Sequence, residues 1–262
     1  MKKIIKIAKV FLSTYYAYML EYRAELFFWV LSSSLPFIMM GVWIKASVAG
    51  EFALDKSQFS HYFLAVFIAR AITPVWVIWD FEKEVVQGKL SPKLLQPIDP
   101  VWHHFFGHIG ERLARGPFIL GLILLFLILY PRIFWLPSLG DFLLFLIVAV
   151  MAFALRFLIQ YTMALFAFWI ERASALEQLW FLPNMFLSGI TAPLEVFPES
   201  VSQIALWTPF PYIVYFPASI LVGLPVDIGR GLLMMFAWGA IFLGLNRWLW
   251  RKGLKQYSGM GA

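Results

Sequence analysis

Three histidines and one glutamate are grouped within nine residues, at His103, His104, His108 and Glu111. On a helix, His104 and His108 would lie one turn apart, as would His108 and Glu111, and this spacing suits metal ligands or a general base. Two such residues on one helix face are common by chance, and the segment offers no firm third ligand. We therefore interpret the group as a polar patch and predict no metal site. A transferase that uses these histidines as general bases stays as the alternative.

Two arginines, Arg70 and Arg156, lie near the middle of long apolar stretches. If such a stretch lies in lipid, each charge costs about 3 kcal/mol and is usually paired or exposed to a cavity. We find no carboxylate at a matching depth. Arg70, Arg156 and Gln160, one turn after Arg156, are therefore candidates for a pathway that admits an anionic group. The alternative is that both arginines bond helix carbonyls and polar neighbours such as Gln160.

The composition indicates what kind of protein must position these residues. Of the 262 residues, 61% are hydrophobic and only 14% are charged, whereas soluble domains are about 25% charged. The apolar residues fall in continuous blocks, which indicates helices that cross a lipid bilayer. The net charge of +6 comes from basic residues at the ends of these blocks, so we expect no nucleic acid partner. The absence of cysteine excludes disulfides and thiolate metal sites.

The apolar blocks predict an all-α polytopic membrane protein with six transmembrane helices. Five blocks are long enough to cross about 30 Å of hydrocarbon, and a sixth is short and contains Pro183. The predicted spans are 26–44, 59–79, 116–131, 141–169, 178–192 and 229–248.

The basic residues predict the orientation of these spans. Placing the N-terminus inside the cell puts fifteen of the 21 lysines and arginines on the cytoplasmic side. Four fall outside, and the other two are Arg70 and Arg156. Such a positive-inside bias predicts that both termini and the 80–115 segment are cytoplasmic. The 193–228 segment then faces outward.

Three further segments have distinctive sequence patterns. Residues 1–25 contain an amphipathic helix over 2–20, with lysines on one face and apolar residues on the other, which is typical of a helix at the membrane interface. Residues 178–223 contain six prolines, which predicts a short fifth span followed by re-entrant helices at 198–207 and 212–222.

The third segment, 80–115, begins with a charged helix that we expect to continue directly from the second span. This helix is predicted to end at Gly88, and the prolines that follow prevent another long helix. We expect Glu82, Lys83 and Glu84 at its exposed start, and Leu90, Leu94 and Leu95 to anchor it against the spans. The segment is either a docking element or a solvated loop.

Several motifs, taken in order, resemble the type-2 exporter permeases of the ATP-binding cassette (ABC) class, within a bacterial branch of poorly defined substrate. The likeness begins with EYRAELFFW at 21–29, which resembles the elbow into the first span. The coupling stretch of that family is matched at Glu84, Gly88, Leu90, Leu94, Leu95, Pro97 and Pro100. The turn after its fifth span is matched at Gly189, Pro193, Phe197, Pro198, Trp207, Pro209, Phe210, Tyr212 and Pro217.

The resemblance implies one transmembrane permease domain over 1–262. Within it, 26–79 holds spans 1 and 2, 116–192 holds spans 3–5, and 229–262 holds span 6 and a cytoplasmic tail. The chain would form a pathway for a hydrophobic or amphipathic substrate with a second permease, identical or paralogous, in the inner membrane of a bacterium. The sequence has no Gly-x-x-x-x-Gly-Lys-Ser/Thr loop, so ATP and magnesium would bind two separate ATPase subunits and this chain would not be an enzyme.

The resemblance also assigns roles to two groups of residues. The ATPase-coupling residues would be Asp80, Glu82, Lys83, Glu84, Gly88, Leu90, Leu94 and Leu95. The re-entrant turn would be formed by Gly189, Pro193, Phe197, Pro198 and Pro209. A membrane assembly subunit that does not transport stays as a further alternative.

Overall fold

A computed structural model describes residues 2–50, 52 and 54–257, and all regular secondary structure in this part of the chain is helical, without a strand. Its α-helices are α1 Lys2–Glu21, α2 Arg23–Ser32, α3 Leu35–Ala49, α4 Lys56–Ile72, α5 Val77–Val86, α6 Leu90–Leu94, α7 Val101–Leu129, α8 Leu139–Ala164, α9 Ala175–Leu187, α10 Glu199–Leu206, α11 Tyr215–Val222 and α12 Ile228–Gln256. Short 3-10 turns occupy Pro131–Ile133, Leu165–Phe168 and Leu194–Val196.

In the described part of the chain, five helical segments are long and apolar enough to cross a membrane. They are Arg23–Val48, Lys56–Val86, Val101–Leu129, Leu139–Phe168 and Ile228–Gln256. The first consists of α2 and α3, and the second of α4 and α5. The prediction of a helical, multi-pass membrane protein is therefore confirmed, and these segments correspond to five of the six predicted spans.

The predicted fifth span corresponds to α9, which has 13 residues. At 1.5 Å per residue α9 is about 20 Å long, which is less than the thickness of the hydrocarbon layer. The prediction that it crosses the membrane depends on the segment that follows it.

Local sequence signals explain where three of the long helices begin. The Asp55 side chain accepts a hydrogen bond of 2.7 Å from the backbone N–H of Gln58 and caps α4. Ser138 caps α8 through Asp141 N at 3.0 Å, and Asp227 caps α12 in the same way. These side chains satisfy N–H groups that have no partner within the helix.

The second span is interrupted between α4 and α5, within the predicted range 59–79, and the charged helix continues directly from the part of the span that follows the interruption. The interruption covers residues 73–76 and includes Pro74. Proline has no N–H and disfavours a helical conformation in the residue before it. The carbonyls of the last turn of α4 therefore lose their helical partners.

The third span begins earlier than the sequence pattern indicates. Helix α7 begins at Val101 and contains 29 residues, whereas the predicted span started at 116. It continues through Pro117, so the histidines and Glu111 lie on the first half of the same helix. The 80–115 segment is thus two short helices followed by half of a long one.

The predicted N-terminal helix forms as α1, and it packs lengthwise along α7. Tyr15 lies over Gly107 and Gly110, and Phe11 stacks near the ring of His103, with ring centroids 4.6 Å apart. Lys6 and Lys9 are exposed to the surroundings. The helix therefore joins the bundle through its aromatic residues.

Two buried cores hold the bundle together. The larger core is formed by α4, α8 and α11, and the residues of α11 from Tyr215 to Leu221 are buried within it. The smaller core surrounds Phe81 of α5 and includes Leu90 of α6 and Leu249 of α12. The short helices α10 and α11 fall where the sequence predicts two short helices.

Candidate functional site

The predicted coupling segment is a helix–turn–helix formed by α5, Gly88 and α6. Gly88 has a φ of 70° and donates its N–H to the Val85 carbonyl at 3.2 Å, which ends α5. This left-handed conformation favours glycine because a side chain would clash with the backbone. The turn therefore reverses the chain over a few residues.

The leucines of this segment do not all anchor it. Leu90 is completely buried beside Phe81, and Leu94 packs against the same core. Leu95 is 89% exposed, so the expectation that it anchors the turn is wrong. The reason is that α6 ends at Leu94 and the next residue lies on its outer side.

The charged residues of α5 divide into two groups. Asp80 and Lys83 are exposed. Glu84 instead accepts a hydrogen bond of 2.5 Å from Lys93 of α6, and Glu82 accepts one of 2.5 Å from the backbone N–H of Ser174. The prediction that Glu82 and Glu84 lie exposed is therefore wrong, because both are half-buried and bind within the chain.

The histidine group lies directly behind this segment. His104 and His108 are buried, with His104 Nε2 3.3 Å from Glu84 Oε2 and His108 Nδ1 3.3 Å from Glu111 Oε2. Arg115 binds the other oxygen of Glu111 at 2.6 Å. Among the residues that the structure describes, no group of three or more histidines and acids is placed to hold a metal. His104 links α7 to α5 instead, whereas His108 and Glu111 both lie on α7.

A polar cavity of about 520 Å³ separates these groups from α1. Its wall includes Tyr15 of α1, Asp80 and Glu84 of α5, and His104 of α7. Burial raises the pKa of Tyr15, and the nearby carboxylates of Glu84 and Asp80 raise it further. The N-terminal helix, the coupling segment and α7 therefore share one polar cluster.

Arg112 is a residue whose importance the sequence did not reveal. It lies on α7, opposite the interruption of the second span, and donates to the carbonyls of Ile72 and Pro74. Its remaining terminal nitrogen donates to the His108 carbonyl at 2.5 Å, and its guanidinium lies 3.8 Å from the centre of the Phe153 ring. One side chain thus satisfies two carbonyls that the interruption at 73–76 leaves without helical partners. The only sequence signal was an arginine next to the histidine group.

The two arginines predicted for the pathway are brought together. Arg70 and Arg156 line one cavity of about 190 Å³, together with Glu177 and Asn184 of α9. Arg156 forms an ion pair with Glu177, so the inference that no carboxylate lies at a matching depth is wrong. Arg156 lies eight residues, about 12 Å, before the end of α8, and the chain returns at α9 to the same level.

Gln160, the third predicted pathway residue, is placed differently. It is completely buried, and both polar atoms of its side chain lack a hydrogen-bond partner in the described part of the chain. It does not line the cavity of the two arginines.

The predicted re-entrant turn is a tightly packed corner. Gly189 has a φ of 84°, and its carbonyl accepts a 2.8 Å hydrogen bond from the Tyr62 hydroxyl. A Cβ on this glycine would lie 2.6 Å from Cβ of Tyr215, which no real contact allows. Pro193 precedes a 3-10 turn and Pro198 precedes α10, with Phe197 half-buried between them and Pro209 buried before α11.

The fold is that of a multi-pass membrane protein in which a short helical turn is joined to the spans through half-buried polar contacts. The family described as ABC-2 family transporter protein matches residues 57–261. The chain therefore belongs to the ABC-2 transporter family, a membrane component of ABC transporters that has no ATPase domain of its own. A comparison with curated proteins finds no match.

Proposed function

We propose that this chain is the permease subunit of an ABC exporter in the inner membrane of a bacterium. Two ATPase subunits that bind ATP and magnesium drive it, and a second permease, identical or paralogous, completes the pathway. Membership of the ABC-2 family supports an ATPase partner. The observation that carries the proposal is the helix–turn–helix of α5, Gly88 and α6, because it joins an exposed tip to the half-buried pair of Glu84 and Lys93 and to buried His104.

The exposed tip is the proposed ATPase-binding surface. Leu95 is 89% exposed and Val86 is 48% exposed, and exposed Lys83 lies beside them on α5. Large apolar side chains surrounded by charges are typical of a protein–protein contact. Both termini lie on the same cytoplasmic side in this proposal.

Movement of the tip would reach the spans by two routes. Glu84 connects α5 to Lys93 of α6 and lies against His104 of α7, and Arg112 on the same α7 holds the interruption of the second span. The second route is the bond from Ser174 to Glu82, because Ser174 is the residue before α9. ATP-driven motion of α5 would therefore move α7 and α9 together and open the pathway for a hydrophobic or amphipathic substrate.

The proposal is tested by purifying the tagged permease from its native membranes together with any ABC ATPase that it retains. We expect the two to co-purify and ATP hydrolysis to rise when the permease is present. Leu95→Asp and Val86→Asp should each lower the retained ATPase at least tenfold, because a buried charge replaces an apolar contact.

Leu136→Asp is the matched control. Leu136 is 78% exposed and lies in the connection between α7 and α8, on the side predicted to face outward. This variant should retain the ATPase fully. A permease that never retains an ATPase, in the presence of a correctly inserted chain, would favour an assembly subunit without transport.

A further inference from the structure

The cavity that contains Arg70 and Arg156 carries more positive than negative charge. Its ionisable side chains are two guanidinium groups and one carboxylate, that of Glu177. Arg156 pairs with Glu177, and in the described part of the chain no acid pairs with Arg70. The cavity therefore holds a net charge of about one positive unit inside the bundle.

The hydrogen-bonding groups of the cavity are also unbalanced. Nη1 of Arg70 and Nη1 of Arg156 are both buried and have no acceptor among the described residues, and Oε2 of Glu177 and Oδ1 of Asn184 are buried there without a donor. A guanidinium has five N–H donors, whereas one carboxylate offers about four acceptor positions. Even if Glu177 turned to contact both arginines, donors would remain without acceptors. An unpaired buried charge costs several kcal/mol, and Arg70 has no counter-ion among the described residues while Glu177 pairs with Arg156, so the cavity favours a further anion.

The burial of the two arginines separates this arrangement from an ordinary surface pair. Arg156 is 9% exposed, and its guanidinium lies 5.4 Å from the Trp180 ring centre. Arg70 stands two residues before the end of α4, next to the interruption at 73–76. The cavity of about 190 Å³ greatly exceeds the roughly 10–15 Å³ that one water requires.

The other walls of the cavity are apolar. Val75, Ile190, Ile213 and Val214 contribute to the lining, and Phe181, 58% exposed on α9, lies at its edge. A group that fits this environment has one compact negative charge attached to an apolar chain. A planar guanidinium pair suits the oxygens of phosphate or carboxylate, which it can bind through two parallel hydrogen bonds.

We propose that Arg70 and Arg156 bind the singly charged oxyanion headgroup of an amphipathic substrate. This inference rests on the proposed function only in calling the ligand a substrate, since the binding site itself is independent of any ATPase. Helix α9 carries Glu177 and is bonded to α5 through Glu82 and Ser174. Movement of α5 would then change the distance between Glu177 and Arg156 and release the headgroup.

The first test measures binding to the purified permease in a neutral detergent by native mass spectrometry and thermal stabilisation. The probes are a short-chain phosphatidylglycerol, whose phosphodiester carries one negative charge, the phosphatidylcholine of equal chain length, and inorganic phosphate. We expect the phosphatidylglycerol to bind at least tenfold more tightly than the phosphatidylcholine and to raise the melting temperature. Equal binding of both lipids would overturn the proposal. If inorganic phosphate at the same concentration displaced the phosphatidylglycerol, the proposal that the ligand is amphipathic would be overturned.

Variants then locate the binding. Arg70→Gln should weaken phosphatidylglycerol binding at least tenfold, and Arg70→Lys should recover part of it because the charge remains while the fork of donors is lost. Arg251→Gln removes an exposed arginine near the end of α12 and should have no effect. If Arg70→Gln does not fold, phosphatidylglycerol binding by Arg70→Lys is compared with binding by the wild type instead. Unchanged binding in a folded Arg70 variant would refute the site.

The complete complex separates this inference from the proposed function. We expect phosphatidylglycerol to stimulate ATP hydrolysis of the wild-type complex and not of the Arg70→Gln complex. An active complex that exports, yet binds phosphatidylglycerol equally in both forms, would refute only the headgroup site. Binding that depends on Arg70 in a chain that recruits no ATPase would support the site and refute the exporter.

Discussion

Arg112 of α7 donates a hydrogen bond to the carbonyl oxygen of Pro74, across the gap between the third span and the interruption of the second. The same guanidinium also binds the Ile72 carbonyl and the His108 carbonyl. A backbone break in a membrane helix is stable only where protein groups satisfy the freed carbonyls. Arg112 therefore allows the second span to bend where Pro74 interrupts it, and it makes α7 the element that controls the bend.

Replacing Arg112 by methionine should destabilise the protein strongly. Hydrogen bonds to a charged donor contribute about 1.5–3 kcal/mol each, and three carbonyls lose this donor together. The Phe153 ring also loses the cation that it faces at 3.8 Å. We expect a clearly lower melting temperature and loss of coupling between transport and ATP hydrolysis, measured on the purified complex.

Arg251→Met provides the matched control for this prediction, because Arg251 is exposed on α12. Its melting temperature should stay within a degree or two of the wild type. Arg112→Lys should behave like the methionine variant in coupling, since one ammonium group cannot span three carbonyls. Full activity of Arg112→Met would show that water satisfies the carbonyls at the interruption of the second span.

The pair formed by Glu84 and Lys93 predicts the result of a charge exchange. Glu84→Lys puts a second cation in the place of the carboxylate that lies 2.5 Å from Lys93 Nζ, in a half-buried site. Helix α6 should therefore detach from α5, and substrate stimulation of ATP hydrolysis should disappear. Lys93→Glu alone should have the same effect. The double variant restores an attractive pair and should recover at least half of the stimulation. No recovery would mean that Glu84 contacts the ATPase directly.

Two glycines of α7 predict opposite effects of the same substitution. A Cβ on Gly110 would lie 2.9 Å from Cβ of Tyr15 and 3.1 Å from the Tyr16 nitrogen, whereas at Gly121 no atom lies within 4 Å. Alanine improves helix propensity by about 0.8–1 kcal/mol at either position. Gly121→Ala should therefore raise the melting temperature, and Gly110→Ala should lower it because α1 must move away from α7. Equal shifts would show that α1 is loosely attached.

The sequence could predict features that follow from local chemistry. The apolar blocks indicated five of the spans, the lysine pattern indicated α1, and the glycine after a charged helix indicated the left-handed turn at Gly88. Each of these depends on residues within one or two helical turns of each other. Side-chain contacts across the bundle, in contrast, join residues that are far apart in the sequence.

The partners of the charged residues were the part that could not be predicted. Glu177 lies 21 positions from Arg156, and its depth depends on how the chain returns from α8 to α9. Arg112 lies 38 positions from Pro74. Only the packing of α7 beside the second span brings that side chain to the break, and no periodic pattern records this packing. Pro74 itself was visible, but a proline can kink a helix without ending it.

The membrane topology gives a final prediction, which depends on whether α9 and the corner after it cross the bilayer. Helix α9 is only 13 residues long, but the corner is fixed to the second span by the bond from Tyr62 to Gly189. The bond from Trp43 to the Thr191 carbonyl, at 2.8 Å, fixes it to the first span. These contacts give the backbone beyond α9 a protein environment inside the membrane. We therefore expect the corner to complete the crossing.

This topology is measurable because the chain has no cysteine. Gln203→Cys, on the exposed side of α10, should react with a membrane-impermeant maleimide on intact cells, whereas Lys255→Cys should react only after permeabilisation. If α9 does not cross and the N-terminus is inside, both results reverse, because α12 then runs outward. That arrangement would place Arg247, Arg251, Lys252 and Lys255 outside, against the charge bias that orients membrane helices. We therefore expect six crossings, and labelling of Lys255→Cys in intact cells would contradict them.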